Sequence, residues 1–515
     1  MTQTVESLTR ERNWNMPKSF RFFVFFAGLW VAMPALGQVH YHKDGRPWSV
    51  TTRRGPDAIA GGWYYNLGIT GMRAILVEKE PTQLLVKYVF NGTPAHGKIK
   101  PGDLLIGVNG RRFATPHLNG YSVEVFGGKG PLRDLGIAIE ESQGRKLRGK
   151  LSLAVLRDGK TRKETLGLGT SNGIYGKKFP SDCPKSSRLR KQLCEFIAGK
   201  QRADGSWGQP HINTFSALAL LASGESRYLP LVKKNAEFHA RKTRARDRSS
   251  LINWRYMAAG IVMGEYYLRT KEKWVLPELK EVYEFLLSSQ YTDLSQVTDS
   301  AKKRKLPRRE GQALGGWGHN PGFEGYGPIA MVTGQGALTF AVLKHCGVDV
   351  DRARHDSAYE FLARGTGRNG YLWYADSPSR HDRWADMGRT GASAVANFLS
   401  PYKDKKYRAS ALGHARAIGD HPETLPDTHG SPMMGMGFTA LGAHVDRASF
   451  RRMMDSNRWW FTLAQCPDGT FYYQPNRDNN PYDFTDGAGR LSASAVVALI
   501  FLMDEKNLLV TGGAK

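Results

Sequence analysis

The chain has 515 residues, enough for two to four domains and a sizeable core. With 41% hydrophobic and 23% charged residues it is neither disordered nor collagen-like, and 4 cysteines do not make a small disulfide scaffold. Lys+Arg 73 against Asp+Glu 47 leaves a net charge of +26, which suits polyanions such as nucleic acid, anionic lipid or acidic glycans without choosing among them.

Lys18 and Arg21 precede an apolar stretch from Phe22 to Ala35, too short to span a bilayer, followed by the small-x-small pattern Ala35-Leu36-Gly37. Residues 1–37 therefore read as a signal peptide, with Met16 as a second candidate start and 38–59 as a linker. The expected location is periplasmic or secreted, and an uncleaved membrane anchor is the alternative. Export argues against nucleic acid as a partner. Cys183, Cys194, Cys346 and Cys466 contain no Cys-x-x-Cys pair, so no metal knuckle or redox motif is signalled. Cys183 and Cys194 can pair locally in an oxidising compartment, and buried free thiols are the other reading.

Residues 60–168 read as a small β-rich domain with one helix. Leu84 to Val89 alternates as a strand, Pro101-Gly102-Asp103 turns into Leu104 to Val108, and Asn109-Gly110 is a two-residue hairpin signal. Leu135 to Ser142 carries helical spacing, and Leu151 to Leu156 alternates again before Asp158-Gly159. This order, with LGITG at 67–71, NGTPAHGKIKPGDLLIGVNG at 91–110 and LSLAVLRDGK at 151–160, resembles a bacterial PDZ domain. The resemblance implies that Leu67, Gly68 and Ile69 form a loop that receives the carboxylate of a protein C-terminus or extended peptide, which adds a strand to the sheet edge. The Gly-rich insertion from Phe113 to Pro131 departs from the family pattern, and a filled or self-occupied groove is the competing expectation.

From residue 180 to 510 the periodicity is helical. QRADGSWG at 201–208, QALGGWG at 312–318, RNGYLW at 368–373 and QCPDGTFY at 465–472 share a Gly-aromatic turn ahead of an apolar helix. Their aromatic residues Trp207, Trp317, Trp373 and Phe471 are separated by 110, 56 and 98 residues, near multiples of a helix-pair repeat of about fifty. Helices predicted over 214–223, 253–268, 333–346, 389–399, 431–444 and 491–503 are rich in small residues and alternate with more charged ones. The expected fold is multidomain: the PDZ-like domain followed by an all-α (α/α)6 toroid. The repeat resembles the toroid of terpenoid cyclases and protein prenyltransferase β subunits, whose Gln-x-x-Asp-Gly-x-Trp-Gly turns match 201–208 closely and 465–472 in part. The chemistry of those families does not transfer: the Asp-x-Asp-Asp acid, the Asp-x-Cys zinc pair and the Cys-Gly-Glu-Gln thioester are all missing from the sequence. No cofactor is implied.

If the small-residue helices are parallel, their N-termini gather at one mouth with His381, Asp382, Asp386, Arg389, His429, Asp483, Asp486 and Arg490. Trp373, Tyr374, Trp384, Tyr472, Tyr473 and Tyr482 accompany them. Carboxylates beside stacking aromatics suit a glycan, with two of them as acid and base. His381, Asp382 and Asp386 also have the donor types of a metal site, and helix capping or ion pairing is the plain alternative. Two functions follow as expectations: an exported envelope protein that recruits a peptide through the PDZ-like domain, with a binding or scaffolding toroid, or a hydrolase or lyase acting on a glycan or other anionic polymer.

Overall fold

The computed structural model describes residues 64–513 apart from 78, 118–128, 245–248, 304–306, 308–310, 326, 379–383, 385, 427, 429–431 and 473–487. The predicted signal peptide, linker and part of the Phe113–Pro131 insertion lie outside those residues.

The N-terminal module is one antiparallel sheet in the order β1 (Tyr64–Asn66), β2 (Met72–Val77), β3 (Glu80–Val89), β4 (Leu104–Val108), β6 (Lys150–Arg157), β7 (Lys160–Gly167), with β5 (Arg111–Arg112) on β4. Both predicted hairpin turns form: Asn109 and Gly110 have φ 48° and 81°, Asp158 and Gly159 φ 52° and 72°, the two positive values that match the twist of the flanking strands. Asp103 of the Pro-Gly-Asp turn is buried and accepts two hydrogen bonds from Arg157, 2.7 and 2.6 Å, and one from the Lys100 amide, 2.8 Å. Helix α1 (Pro131–Ser142) covers the sheet with Leu132, Leu135 and Ile139.

The remaining chain is mostly helical: α2 (Pro184–Ala198), α3 (Pro210–Ala222), α4 (Leu229–Lys242), α5 (Ile252–Thr270), α6 (Val275–Ser289), the single turn α7 (Asp299–Lys302), α8 (Ala330–His345), α9 (Arg352–Arg364), α10 (Gly388–Leu399), α11 (Lys405–Asp420), α12 (Pro432–His444), α13 (Arg447–Ser456), α14 (Arg458–Ala464) and α15 (Ala488–Leu502). The six small-residue helices α3, α5, α8, α10, α12 and α15 pack each on the next, and α15 returns to α3. The more amphipathic helices pack against this set, each on an inner neighbour, so the body resembles an α/α toroid. The inner helices run the same way. Their C-terminal ends meet, with His345 Nε2 donating to the Leu399 carbonyl at 3.1 Å and Asn507 Nδ2 to that of Ala222 at 2.9 Å. Phe215 of α3 and Phe438 of α12 meet edge to face at 5.5 Å, and Gln335 of α8 reaches Met434 of α12 at 3.9 Å. These contacts join non-neighbouring inner helices, so side chains fill the middle of the ring.

The two modules are fused. One hydrophobic core runs continuously from Tyr65 to Val510. Helix α14 lies on α1 and on the 68–70 turn, Asn66 Nδ2 donates to the Leu463 carbonyl at 2.7 Å, and Glu140 accepts from Lys185 at 2.8 Å and from Thr462 at 3.0 Å. All four cysteines are buried free thiols, so Cys183 and Cys194 are not paired.

Candidate functional site

Each Gly-aromatic turn carries the chain from the end of an outer helix to the start of an inner one, and one bond recurs in all four. The amide two residues after the turn glycine donates to a polar side chain near the start of the following inner helix: Trp207 to Asn213 at 2.6 Å, Trp317 to Thr333 at 3.0 Å, Leu372 to Thr390 at 3.1 Å, Phe471 to Ser494 at 3.1 Å. Trp207 and Trp317 also donate their indole N–H to the Ile197 and Leu286 carbonyls at the ends of the preceding outer helices, 2.8 and 2.9 Å, satisfying groups the helices leave open. Each turn glycine has positive φ; at Gly315 (φ +83°) an added Cβ would sit 2.1 Å from the Ser357 carbonyl oxygen. The frame of the third turn is therefore set by Gly370, and its aromatic position holds Leu372, one residue before the predicted Trp373. Bulky residues occupy 371–373 in a row, so the sequence pattern alone favours Trp373, and only the backbone conformation singles out Leu372.

These turns collect at one end of the ring a rim of half-buried aromatic and imidazole side chains. Trp254, on the first turn of α5, stacks on His319 with centroids 5.7 Å apart and donates its indole N–H to His319 Nδ1 at 2.7 Å. That bond makes Nδ1 an acceptor and leaves the proton on Nε2. Burial pushes the same imidazole below its ordinary range, which keeps it neutral. Trp384 stacks on His421 at 3.6 Å with ring planes 15° apart. Tyr374 is 40% exposed, and its carbonyl accepts from the Ala330 amide at the start of α8.

Two arginines and three carboxylates of the rim are committed to structure. Arg389 is 4% exposed and donates to Asp386 at 2.7 Å, the Leu372 carbonyl at 2.7 Å and the Tyr371 hydroxyl at 2.5 Å. Arg490 reaches Asp468 of the fourth turn at 2.8 Å, and Asp376 accepts from the Ala313 amide at 2.8 Å. No group of three His, Cys, Asp or Glu suited to a metal occurs among the described residues.

Residues 186–512 match the family model described as "Domain of unknown function (DUF6288)". The chain belongs to the DUF6288 family. No curated protein matches it. Among solved structures this DUF6288 chain is similar to an alpha-1,6-mannanase of Salegentibacter sp. HEL1_6, an inactive variant in complex with alpha-1,6-mannotriose (13% identity, 61% of this chain and 98% of that one, TM-score 0.44). A GH76 alpha-mannanase of Bacteroides thetaiotaomicron (12%, 61% and 94%, TM-score 0.41) and a type II terpene cyclase from Scytonema (12%, 62% and 97%, TM-score 0.38) are further neighbours.

Of the residues the sequence nominated for the mouth of this DUF6288 ring, Asp386, Arg389 and Arg490 are at that end. His381, Asp382, His429, Asp483 and Asp486 lie outside the described residues, as do Tyr473 and Tyr482. The ion-pair alternative fits Arg389 and Arg490. Leu67, Gly68 and Ile69 are buried beneath α14: a Cβ added to Gly68 would lie 2.8 Å from the Thr462 carbonyl oxygen, so the approach expected for a peptide terminus is covered by the chain's own Thr462 and Leu463. Sequence reading did not nominate Trp254, Tyr371, His421 or Asp468. The Trp254–His319 pair joins residues 65 apart in sequence, and no local motif marks it.

Proposed function

We propose that the chain is a glycan-directed toroid protein, one that engages a glycan or other anionic polymer across the end of the ring where the inner helices begin. The observation that carries this reading is the rim of Trp254–His319, Trp384–His421 and exposed Tyr374 over a filled ring. Such rings offer a sugar an apolar face and polar edges, and the filled centre keeps a polymer on the rim. The net charge of +26 adds long-range attraction for acidic chains. Because the described carboxylates of the rim are spent on ion pairs and turns, hydrolase or lyase chemistry would draw on Asp382, Asp483 and Asp486, which the sequence assigns to the loops before α10 and α15.

Closure as six helix pairs, a PDZ-like identity for the β module and export to the periplasm or beyond belong to the same proposal. In it the β module braces the body, and a peptide terminus would reach Leu67, Gly68 and Ile69 only if α14 withdrew. The test is a panel of neutral and acidic polysaccharides run by affinity electrophoresis, with new reducing ends assayed in parallel. Retardation by an acidic polysaccharide supports the reading, and indifference to the whole panel sinks it.

A further inference from the structure

At the opposite end of the ring, where the inner helices finish, two hollows open side by side with different chemistry. The first is lined by Arg190, Lys191, Arg227, Glu225 and Glu505; Arg190 pairs with Glu505 and Arg227 with Glu225 at 2.7 Å, so two of its three cations are paired. The second, of about 250 Å³, lies between the ends of α10 and α12 and the C-terminal segment. Its lining includes apolar Phe398, Leu441 and Val510 and the cations Arg408, Arg447 and Lys506. Those three side chains form no ion pair among the described residues. The nearby carboxylate Asp504 accepts from His444 Nε2 at 2.9 Å and from the Ser181 hydroxyl, and the His444 bond together with the charges of Arg447 and Lys506 holds it below the ordinary carboxylate range.

Arg408 and Arg447 lie at the N-terminal ends of α11 and α13, where the dipole of their own helix disfavours a cation. The second hollow gathers three cations around a lining that holds no carboxylate, whereas the first carries two carboxylates among its three cations. Arg408 also lies over the Phe398 ring, 4.9 Å from its centroid, so its guanidinium sits beside an apolar surface, and its N–H fork suits a planar oxyanion. A volume near 250 Å³ corresponds to roughly eight waters at about 30 Å³ each, room for an oxyanion and a compact organic body.

We propose that this hollow is a binding site for a small organic oxyanion, a carboxylate or phosphate ester joined to a compact apolar body, with Arg408, Arg447 and Lys506 on the anion and Phe398, Leu441 and Val510 against the body. The site is separate from the rim of the proposed glycan surface, so either can fail without the other.

The experiment is titration calorimetry of the full chain with phenyl phosphate, benzoate and the neutral benzyl alcohol. Phenyl phosphate or benzoate binds, benzyl alcohol does not, and affinity falls as salt is raised. The variant Arg408→Ala/Arg447→Ala loses tenfold or more, whereas Arg227→Ala in the neighbouring hollow stays within twofold. Should the double variant fold poorly, Arg408→Gln and Arg447→Gln singly, each checked by melting temperature, carry the same expectation of a several-fold loss. Absence of binding by both anions, equal binding of benzyl alcohol, or unchanged affinity in the arginine variants overturns the proposal.

Discussion

Arg389→Ala should destabilise the helical body far more than Arg490→Ala, although the two arginines occupy matching places ahead of inner helices. Arg389 is buried, and its removal takes a donor from the Asp386 carboxylate, the Leu372 carbonyl and the Tyr371 hydroxyl together. Breaking a buried pair by deleting one partner costs about 3–5 kcal/mol, chiefly because the remaining charge is left without compensation. Arg490 reaches an Asp468 that is 39% exposed, so water replaces the lost partner and the cost is about 0–1 kcal/mol. At about 2–4 °C per kcal/mol for domains of a few hundred residues, the first variant should melt roughly 6–20 °C lower and the second no more than about 4 °C lower. Differential scanning calorimetry at neutral pH reads both. Equal shifts, or loss of polysaccharide binding by Arg389→Ala at an unchanged melting temperature, would refute the structural assignment of this ion pair.

Other expectations follow from single contacts. Glu265 is 1% exposed and accepts from the Leu509 and Val510 amides, and burial raises its carboxyl from 4.5 to about 7. A raised acid binds its proton more tightly in the folded state, so its contribution is fully present below pH 4.5 and is lost as pH rises through 7. Denaturant titrations should show it fall by about 3 kcal/mol across that window, and Glu265→Gln should remove this part of the slope; an unchanged slope refutes it. Gly315→Ala, which drives a methyl toward the Ser357 carbonyl, should cost several kcal/mol, whereas Gly311→Ala, also at positive φ but with open space around it, should cost only about 1 kcal/mol of backbone strain; equal chemical-denaturation midpoints would contradict this. Gly136→Leu, placed 2.7 Å from the Trp459 carbonyl, should loosen α1 from α14 and speed proteolysis between the modules, and an unchanged digestion rate counts against the brace. The four buried thiols, with Cys194, Cys346 and Cys466 pushed up to about 12, should stay silent to a thiol reagent until the chain unfolds; rapid native labelling would contradict their burial.

The ring was legible because its inner helices need small residues at every close crossing, and runs such as Gly391-Ala392-Ser393-Ala394 leave that need written in the chain. Hairpins were legible for a related reason: Asn109-Gly110 and Asp158-Gly159 serve a local backbone demand. What escaped depended on distant partners. The cover over Leu67, Gly68 and Ile69 comes from residues nearly four hundred positions later, with Asn66 and Leu463 separated by 397, and no spacing rule reaches that far. The Trp384–His421 stack likewise joins the loop before α10 to the end of α11, so its members looked like unrelated loop residues.

The central claim, that the N-terminal rim of the ring engages a glycan, is tested most directly by affinity electrophoresis of wild type and Trp254→Ala/Trp384→Ala in gels carrying an acidic polysaccharide, with melting temperatures measured alongside. The account predicts that the wild type is retarded and that the double variant, folded by its melting curve, migrates as it does in a gel without polysaccharide. Equal retardation of both proteins would place the polymer elsewhere and contradict the claim.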